Sequence, residues 1–187
     1  SISRLWEIHD YLPEGLHYLA LILNAPNAYT LPSDLRAKLL LASGNFTRHQ
    51  CRYVEAAKHY DTALALDAQN HDTTVKILSG MGEIALRRGD YQTAQERYQQ
   101  HFDISRSASD AARTADAVNG LGRIATIREN LNEALDLHRF GQRISVEAGY
   151  LHGLGWSFNA LGELERARGS YRKAVNHFEK SLSLFTT

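Results

Sequence analysis

The sequence has little cysteine and little proline. Its one cysteine, Cys51, excludes an intrachain disulfide and agrees with a reducing cytoplasm, where we expect the protein to be located. No histidine or acidic residue stands at an informative spacing from Cys51, so we expect a small, half-buried side chain and no nucleophile. The three prolines are Pro13, Pro26 and Pro32. Residues 33–187 therefore contain none, which permits an uninterrupted run of helices.

An excess of charge and a long apolar run are also missing. Lys and Arg total 21 and Asp and Glu total 21, so the net charge is zero. Without a dense basic run, we expect no binding to nucleic acid. No run of about eighteen apolar residues predicts a membrane span. The start, SISRLWEIHD, lacks the basic and apolar regions of a signal peptide and an initiator methionine, so we expect a fragment of a longer protein.

Catalytic and nucleotide-binding patterns are missing as well. None of the nine histidines forms an H-E-x-x-H or comparable ligand pair. No nucleophile stands with a base and an orienting group, and no G-x-x-x-x-G-K-[ST] loop or helix-turn-helix pattern occurs. We therefore expect no enzymatic activity, no metal site and no cofactor.

The sequence contains an internal repeat instead. Glycines recur in steps of 38, 40 and 40 residues, at Gly44, Gly82, Gly122 and Gly162. An alanine follows each glycine by twelve residues, and a ring follows each alanine by four, at Tyr60, Tyr98, His138 and Phe178. Repetition of this length indicates a solenoid of helix pairs. The small residues permit close helix crossings, and the rings fill the space between neighbouring pairs.

This repeat predicts an all-α fold in a single domain, a right-handed α-solenoid of about five stacked antiparallel helix pairs. Residues 1–30 form a degenerate first pair, with helices at 3–11 and 14–24. The four repeats cover residues 33–67, 73–106, 111–147 and 151–187.

The tripeptide Arg88-Gly89-Asp90 lies at a predicted helix junction. It is known from cell adhesion, but its counterparts at residues 128–130 and 168–170 share turn and capping chemistry, not the tripeptide. Gly89 suits a left-handed helix end, and the last residues of the three junctions are N-cap types: Asp90, Asn130 and Ser170. Glu133, three residues after Asn130, predicts a capping box. We interpret the tripeptide as a turn.

The Gly…Tyr…Ala…aromatic pattern resembles the tetratricopeptide repeat, whose consensus unit has about 34 residues. The longer steps here are similar to repeats at the C-terminal side of large bacterial regulators, which include LuxR-type and related ATP-dependent transcriptional activators. The segments AVNGLGRIATIRENLNEALDLHRFGQRI and GLGWSFNALGELERARGSYRKAVNHFEKSLSLF carry the resemblance best. It implies a scaffold that binds a protein or peptide, as the interaction or sensor segment of a larger bacterial transcriptional regulator.

The resemblance also implies that a partner binds in a concave groove lined by the first helix of each pair. The lining that it places there is polar and mixed in charge: Asn45, Arg48, Lys76, Glu83, Arg87, Asn119, Arg123, Trp156, Asn159, Glu163 and Arg166. Asn119 and Asn159, one repeat apart, either clamp an extended peptide or bond a neighbouring backbone within the fold. Trp156 is an apolar anchor if it is exposed and a packing residue if it is buried.

A structural role is the alternative. The last helix, YRKAVNHFEKSLSLFTT, leaves a set of apolar residues in need of cover: Val175, Phe178, Leu182 and Phe185. The repeats would then form a homodimer through this end, or pack on a neighbouring domain, and would have no free ligand.

Overall fold

Helices make up most of the chain that the structure, a computed structural model, describes, namely residues 12–186. A first helix, α1, spans Leu12–Leu23, and a 3₁₀ turn spans Ala28–Thr30. The remaining helices are α2 (Ser33–His49), α3 (Tyr53–Leu66), α4 (His71–Arg87), α5 (Tyr91–Ser107), α6 (Ala111–Ile127), α7 (Leu131–Glu147), α8 (Leu151–Ala167) and α9 (Tyr171–Phe185). No strand occurs within residues 12–186, and the predicted all-α fold of helix pairs is confirmed. The helix predicted at residues 3–11 lies outside the described residues, and α1 occupies the place of its predicted partner.

Three-residue turns join the helices from α4 onwards, and each turn contains one residue with a left-handed backbone. Gly89 has a φ of 75°, Glu129 of 62° and Gly169 of 75°. At the first of these turns, the Asp90 N–H donates to the Ala85 carbonyl at 2.9 Å and the Gly89 N–H donates to the Leu86 carbonyl at 3.1 Å. This is the Schellman pattern of helix termination. The interpretation of residues 88–90 as a turn is therefore confirmed.

Capping at these turns differs in part from the prediction. The Asp90 carboxylate accepts from the Thr93 N–H at 3.1 Å, as expected of an N-cap. Asn130 makes no side-chain capping bond, and the predicted capping box is wrong; the Asn130 Nδ2 donates to the Glu133 carboxylate at 3.3 Å. Ser170 makes no side-chain capping bond either.

Cys51 also differs from the prediction. It lies in the turn between α2 and α3 with a φ of 60°, and its side chain is exposed, not half-buried. Cys51 belongs to neither helix, so it has no place on a helix face that packs.

The chain divides into two compact units, and the first ends at Ile84. Its core is built around the buried ring of Tyr60. A Cβ atom added to Gly44 in α2 or to Gly80 in α4 would lie 2.5 Å from atoms of that tyrosine. The two glycines therefore let α3 approach both neighbouring first helices.

The second unit, Ala85–Thr187, repeats this contact. A Cβ atom on Gly122 would lie 2.5 Å from the ring of His138, and one on Gly162 would lie 2.6 Å from the ring of Phe178. The His138 ring is buried and takes the place that tyrosine or phenylalanine has in the other repeats. The predicted role of glycine in close helix crossings is confirmed at both positions, and the ring that meets each glycine belongs to the second helix of the same pair.

Candidate partner-binding surface

A row of exposed and half-buried side chains follows α8 in the second unit. Its members are three or four residues apart and share one face of the helix, and we name them the α8 stripe: His152, Trp156, Asn159, Glu163 and Arg166. Four of the five belong to the groove lining predicted from the sequence. The structure thus brings these four together on one helix face.

An aromatic cluster stands at the beginning of the α8 stripe. The side chain of Trp156 is 47 % exposed and that of Phe185, from the end of α9, is 46 % exposed. Their ring centroids are 5.9 Å apart with the planes at 71°, and the His152 ring is 6.2 Å from Trp156 and 5.7 Å from Phe185. Such edge-to-face geometry is favoured between aromatic rings. We name Tyr150, His152, Trp156 and Phe185 the aromatic cluster, in which the Trp156 side chain is exposed and not buried in the stack.

Glycine makes room for this cluster. A Cβ atom on Gly155 would lie 2.8 Å from the Phe185 ring, so the end of α9 can close onto α8 because no side chain intervenes. Gly153 leaves the same kind of space for the Tyr150 ring. The position of both rings therefore depends on the backbone of α8.

Hydrogen bonds anchor the aromatic cluster to α6. The Tyr150 hydroxyl donates to the Asp116 carboxylate, whose two oxygens are 3.1 and 3.2 Å away. His152 Nδ1 lies 3.3 Å from the same hydroxyl, and Trp156 Nε1 donates to His152 Nε2 at 3.4 Å. The rings are thereby oriented before any partner arrives.

The Asp116 carboxylate, which accepts from the Tyr150 hydroxyl, is partly buried. Burial raises the pKa of Asp116, against the opposing effects of the Tyr150 hydrogen bond and of Arg113, whose Nη1 lies 3.4 Å from Oδ2. Burial and the neighbouring Asp116 raise the pKa of Tyr150. Tyr150 therefore keeps its proton at neutral pH and remains a donor to Asp116.

Asn119 lies between α6 and α8 and is only 7 % exposed. Its Nδ2 donates to the Gly153 carbonyl at 3.5 Å, and its Oδ1 accepts from Ser157 Oγ at 3.1 Å. Both ends of the carboxamide are used within the fold. Asn119 thus positions α8, whereas Asn159, one repeat later, is partly exposed and can meet a partner.

The charged half of the α8 stripe is internally paired. Arg166 donates to Glu163 Oε2 through Nε at 3.0 Å and through Nη2 at 2.7 Å. Both side chains are more than two-fifths exposed, at 60 % and 46 %. The predicted groove residue Arg123 is partly exposed on α6, which packs against α8.

The remaining predicted residues lie elsewhere along the chain. In the first unit, Asn45 and Arg48 are partly exposed on α2, and Lys76 and Glu83 are partly exposed on α4. Asn45 Oδ1 accepts from the Tyr60 hydroxyl at 2.8 Å, and Lys76 pairs with Asp72. Arg87 is exposed in the last turn of α4, at the beginning of the second unit.

Sequence reasoning missed Tyr150 and His152. A signal for both is visible in the sequence, because Tyr150 occupies the N-cap position of α8, where α5 and α6 have Asp90 and Asp110. An aromatic residue at an N-cap position indicates a role other than capping. His152 stands four residues before Trp156, which places both on one helix face.

No group of three or more His, Cys, Asp and Glu side chains that could hold a metal ion lies between residues 12 and 186. Among the helices described, none is long and apolar enough to cross a bilayer.

The fold and this surface define an α-solenoid of helix-pair repeats that presents polar and aromatic side chains on a first helix. The tetratricopeptide repeat model matches residues 35–107 and 110–187, so the chain belongs to the tetratricopeptide repeat family. No curated protein matches the sequence significantly.

Several solved structures share the fold. BtubC (BKLC) from P. vanneervenii has a TM-score of 0.71 at 17 % identity, with 98 % of this chain and 77 % of BtubC covered. The apo form of RapI has a TM-score of 0.74 at 12 % identity, with 97 % of this chain and 51 % of RapI covered. The nearly identical TPR-like repeats of a putative kinesin light chain from Podosopora anserina give 0.68 at 16 % identity, with 98 % and 91 % covered. Identities this low show a common fold and nothing finer.

Proposed function

We propose that the α8 stripe binds an extended segment of a partner protein, with the aromatic cluster as its anchor. The observation that carries the proposal is that the rings of Trp156 and Phe185 are exposed and are also held in place by contacts with each other. Large aromatic side chains are enriched among the residues that dominate binding energy. Rings that are already oriented lose little conformational entropy when a ligand covers them.

The rest of the α8 stripe suits the polar part of a peptide. The Asn159 carboxamide can both donate and accept, so it fits a peptide backbone in either direction. Glu163 and Arg166 offer one charge of each sign, and Arg123 adds a cation from α6. Asn119 supports the surface from within by holding α8 to α6.

For the first unit we propose contacts of the same type. Asn45 and Arg48 on α2 and Lys76 and Glu83 on α4 are half-buried polar residues of first helices. In the second unit, Arg87 offers an exposed guanidinium in the last turn of α4. The partner is a protein or peptide, because a chain with a net charge of zero offers little to nucleic acid.

We further propose that these repeats are the interaction or sensor segment of a larger, cytoplasmic bacterial transcriptional regulator. The support is the resemblance of residues 117–144 and 153–185 to the repeats of such regulators, together with the single cysteine. Sequencing the gene beyond both ends of this segment tests the proposal. We expect an adjoining nucleotide-binding or DNA-binding domain, and reading frames that stop at both ends would contradict it.

A pull-down tests the binding surface. The immobilised chain is compared with Trp156→Ala, and bound proteins from a bacterial lysate are quantified by mass spectrometry. We expect one partner to be depleted at least about tenfold by the variant, because truncating a hot-spot residue costs about 2 kcal/mol or more. The affinity of the purified partner is then measured for both forms.

The control is a second exposed aromatic residue that lies far from α8 in the sequence. Tyr29→Ala removes a more exposed ring from the 3₁₀ turn, and it should retain the partner. Circular dichroism must show equal helicity for all forms. A partner that survives Trp156→Ala, or that is lost equally with Tyr29→Ala, would contradict binding at the α8 stripe.

Self-association through α9 is the second candidate, and one observation favours it. Tyr171 is 68 % exposed, Val175 54 % and Leu182 65 %, and all three lie on one face of the helix at spacings of four and seven residues. Such a row of apolar side chains is typical of a helix that packs against another helix.

Sedimentation measurements decide this second candidate. We expect a monomer–dimer equilibrium that shifts to monomer when Val175 and Leu182 are both replaced by glutamate, since charge in a helix contact is costly to desolvate. A wild-type chain that stays monomeric at millimolar concentration would refute self-association. The same experiment leaves the pull-down interpretable, because the two surfaces use different residues.

A further inference from the structure

A groove lies on the second helices of the second unit, away from the residues of the α8 stripe. It opens between α5 and α7 over the side of α6, with a volume of about 160 Å³. We name it the α5–α7 groove, and its lining residues are Gln95, Gln99, Leu121, Ala125, Arg128, Asn130, Glu133 and Leu137. None of them belongs to the α8 stripe or to the aromatic cluster.

The floor of the groove is apolar because two core clusters stop short of each other there. Leu121 packs at the edge of the cluster that contains Tyr98, and Leu137 packs at the edge of the cluster that contains Ala134. Ala125 lies between them and is too small to fill the gap. A cavity of about 150 Å³ lined by apolar residues is large enough to bind benzene. The floor therefore accepts one leucine-sized side chain.

The wall that α5 contributes to the groove is polar. In the next repeat, forty residues later, Leu135 and Arg139 stand where α5 has Gln95 and Gln99. Gln95 thus places a carboxamide beside the groove where the next repeat has an apolar side chain. Arg128 Nη1 donates to Gln95 Oε1 at 2.6 Å, which ties the end of α6 to α5 and fixes one end of the groove.

The surface around the groove is rich in acceptors. Gln92 donates to Glu96 at 3.0 Å and Gln99 donates to Asp103 at 2.9 Å. Asn130 likewise donates to Glu133. Each of these three carboxylates has further acceptor capacity, which a partner can meet with N–H donors.

The net charge around the groove also favours a ligand with N–H donors. Glu96, Asp103 and Glu133 contribute three negative charges to the groove and the adjoining face of α5, and Arg128 contributes one positive charge, which leaves a local charge of about −2. A donor-rich, positively charged ligand complements both the charge and the hydrogen-bonding pattern.

We propose that the α5–α7 groove binds a basic, amphipathic segment of a partner protein, whose leucine-sized side chain enters the groove while flanking lysine or arginine residues pair with Glu96, Asp103 and Glu133. This site is separate from the α8 stripe, so the chain can hold two segments at once. The proposal does not depend on the function of the aromatic cluster.

Fluorescence anisotropy with three synthetic peptides tests the proposed chemistry. The probe alternates lysine and leucine, and its two comparison peptides alternate glutamate with leucine and lysine with serine. We expect the lysine–leucine peptide to bind at low salt at least about tenfold more tightly than either comparison peptide, because charge and apolar burial are both required. Equal binding of either comparison peptide, or no binding of the probe, overturns the proposal.

Two triple variants with the same net charge locate the site. Glu96→Gln, Asp103→Asn and Glu133→Gln remove the acidic rim, whereas Asp61→Asn, Glu165→Gln and Glu179→Gln remove three carboxylates from α3, α8 and α9, outside both proposed binding surfaces. We expect the first variant to weaken binding about tenfold, as three exposed ion pairs would, and the second to leave it within about twofold. An equal loss in both variants would indicate attraction by overall charge and overturn the site.

Amide chemical shifts provide a map that does not depend on substitution. With the lysine–leucine peptide, the largest shifts are expected at Gln99, Leu121 and Leu137. Shifts centred on Trp156 would move the peptide to the aromatic cluster and overturn the proposal. Shifts at α5 and α7 that appear when the protein alone is concentrated would identify a second copy of the chain as the occupant, which also overturns it.

Discussion

The contact that repeats along the chain is a ring packed against glycine. Tyr60 fits against Gly44 and Gly80, and Phe178 fits against Gly162. An alanine at these glycines would place a methyl group within 2.6 Å of ring atoms, well inside van der Waals contact. The glycine therefore sets how closely the second helix approaches the first.

His138 is the exception in this series because its ring can take up a proton. It is buried beside Gly122, and burial together with the nearby Arg123 lowers its pKa to about 4. In the unfolded chain, a histidine has its ordinary pKa of about 6.5. Below that pH the unfolded chain binds more protons than the folded one, so stability falls as the pH falls towards 4.

Replacing His138 with phenylalanine should remove this pH dependence. We expect the wild type to lose up to about 3 kcal/mol of unfolding free energy more than His138→Phe does between pH 7 and pH 4, from the shift of the His138 pKa. Urea denaturation at several pH values measures the difference. The lowered pKa values of His59 and His177 contribute equally to both proteins and cancel. Parallel stability curves would show that His138 is not protonated in the unfolding transition.

At the residue scale, the sequence predicted well the positions that recur in every repeat. It predicted poorly the contacts that a residue makes in one repeat only. The glycine and ring positions are repeated, so one pattern reports three of the observed contacts at once: Gly44 with Tyr60, Gly122 with His138 and Gly162 with Phe178. Asn119 resembles Asn159 in the sequence, yet Ser157 and the Gly153 carbonyl engage Asn119 within the fold. That difference arises from neighbours on another helix, which a repeat pattern does not contain.

Helix ends in this protein are controlled by backbone geometry first and by capping side chains second. Three of the turns contain one residue with a left-handed backbone, at Gly89, Glu129 and Gly169. The backbone is left-handed whether that residue is glycine or glutamate. Side-chain caps occur at only some of the N-termini. Asp110 Oδ1 accepts from the Arg113 N–H at 3.0 Å at the beginning of α6, whereas Asn130 makes no such bond at the beginning of α7.

This contrast gives a prediction with an internal control. Asp110→Ala should lower the unfolding free energy by about 1 kcal/mol, the usual cost of losing an N-cap. Asn130→Ala changes the N-cap residue of the next helix but removes no capping bond, so we expect a change of less than about 0.5 kcal/mol. Urea denaturation of both variants provides the comparison. Equal losses would mean that the Asn130 side chain caps α7 in solution.

At the element scale, helix positions follow from the sequence because each helix carries an apolar face and each junction carries turn residues. The predicted second helix of the first pair agrees closely with α1, and all turns from α4 onwards fall where the repeat places them. The capping bonds do not follow as well, since a capping residue can bond to a neighbouring side chain, as Asn130 does to Glu133.

On the scale of the whole molecule, stability in a repeat protein is a sum of neighbour contacts. Within the second unit, α6 packs against α5, α7 and α8, whereas α9 packs chiefly against α8. A helix with one neighbour opens at a lower free energy than a helix with three. We therefore expect α9 to open more readily than α6.

Amide hydrogen exchange should reveal this gradient. We expect amides in the middle of α9 to exchange at least about tenfold faster than those in the middle of α6, through local opening. Mass spectrometry at low protein concentration measures both helices in one sample. Uniform exchange across the second unit would mean that its helices unfold together. Protection of α9 that grows with protein concentration would instead report the self-association described above.

The candidate surface could be predicted from the sequence only in outline. The α8 stripe contains four of the predicted groove residues because helical periodicity alone places Trp156, Asn159, Glu163 and Arg166 on one face. The aromatic cluster was missed because it joins a turn residue, Tyr150, with the end of a different helix, Phe185. Contacts between the end of one element and the beginning of another have no fixed spacing in a sequence.

The length of the α8 stripe determines how many residues of an extended peptide can lie along it. From His152 to Arg166 the α8 stripe covers fourteen residue steps, which at 1.5 Å each is about 21 Å. An extended chain advances about 3.3 Å per residue, so about six residues match that distance. A peptide of that length, apolar at one end and polar along the rest, would contact the aromatic cluster and the charged residues of the α8 stripe together. A shorter peptide would contact only one of these two groups.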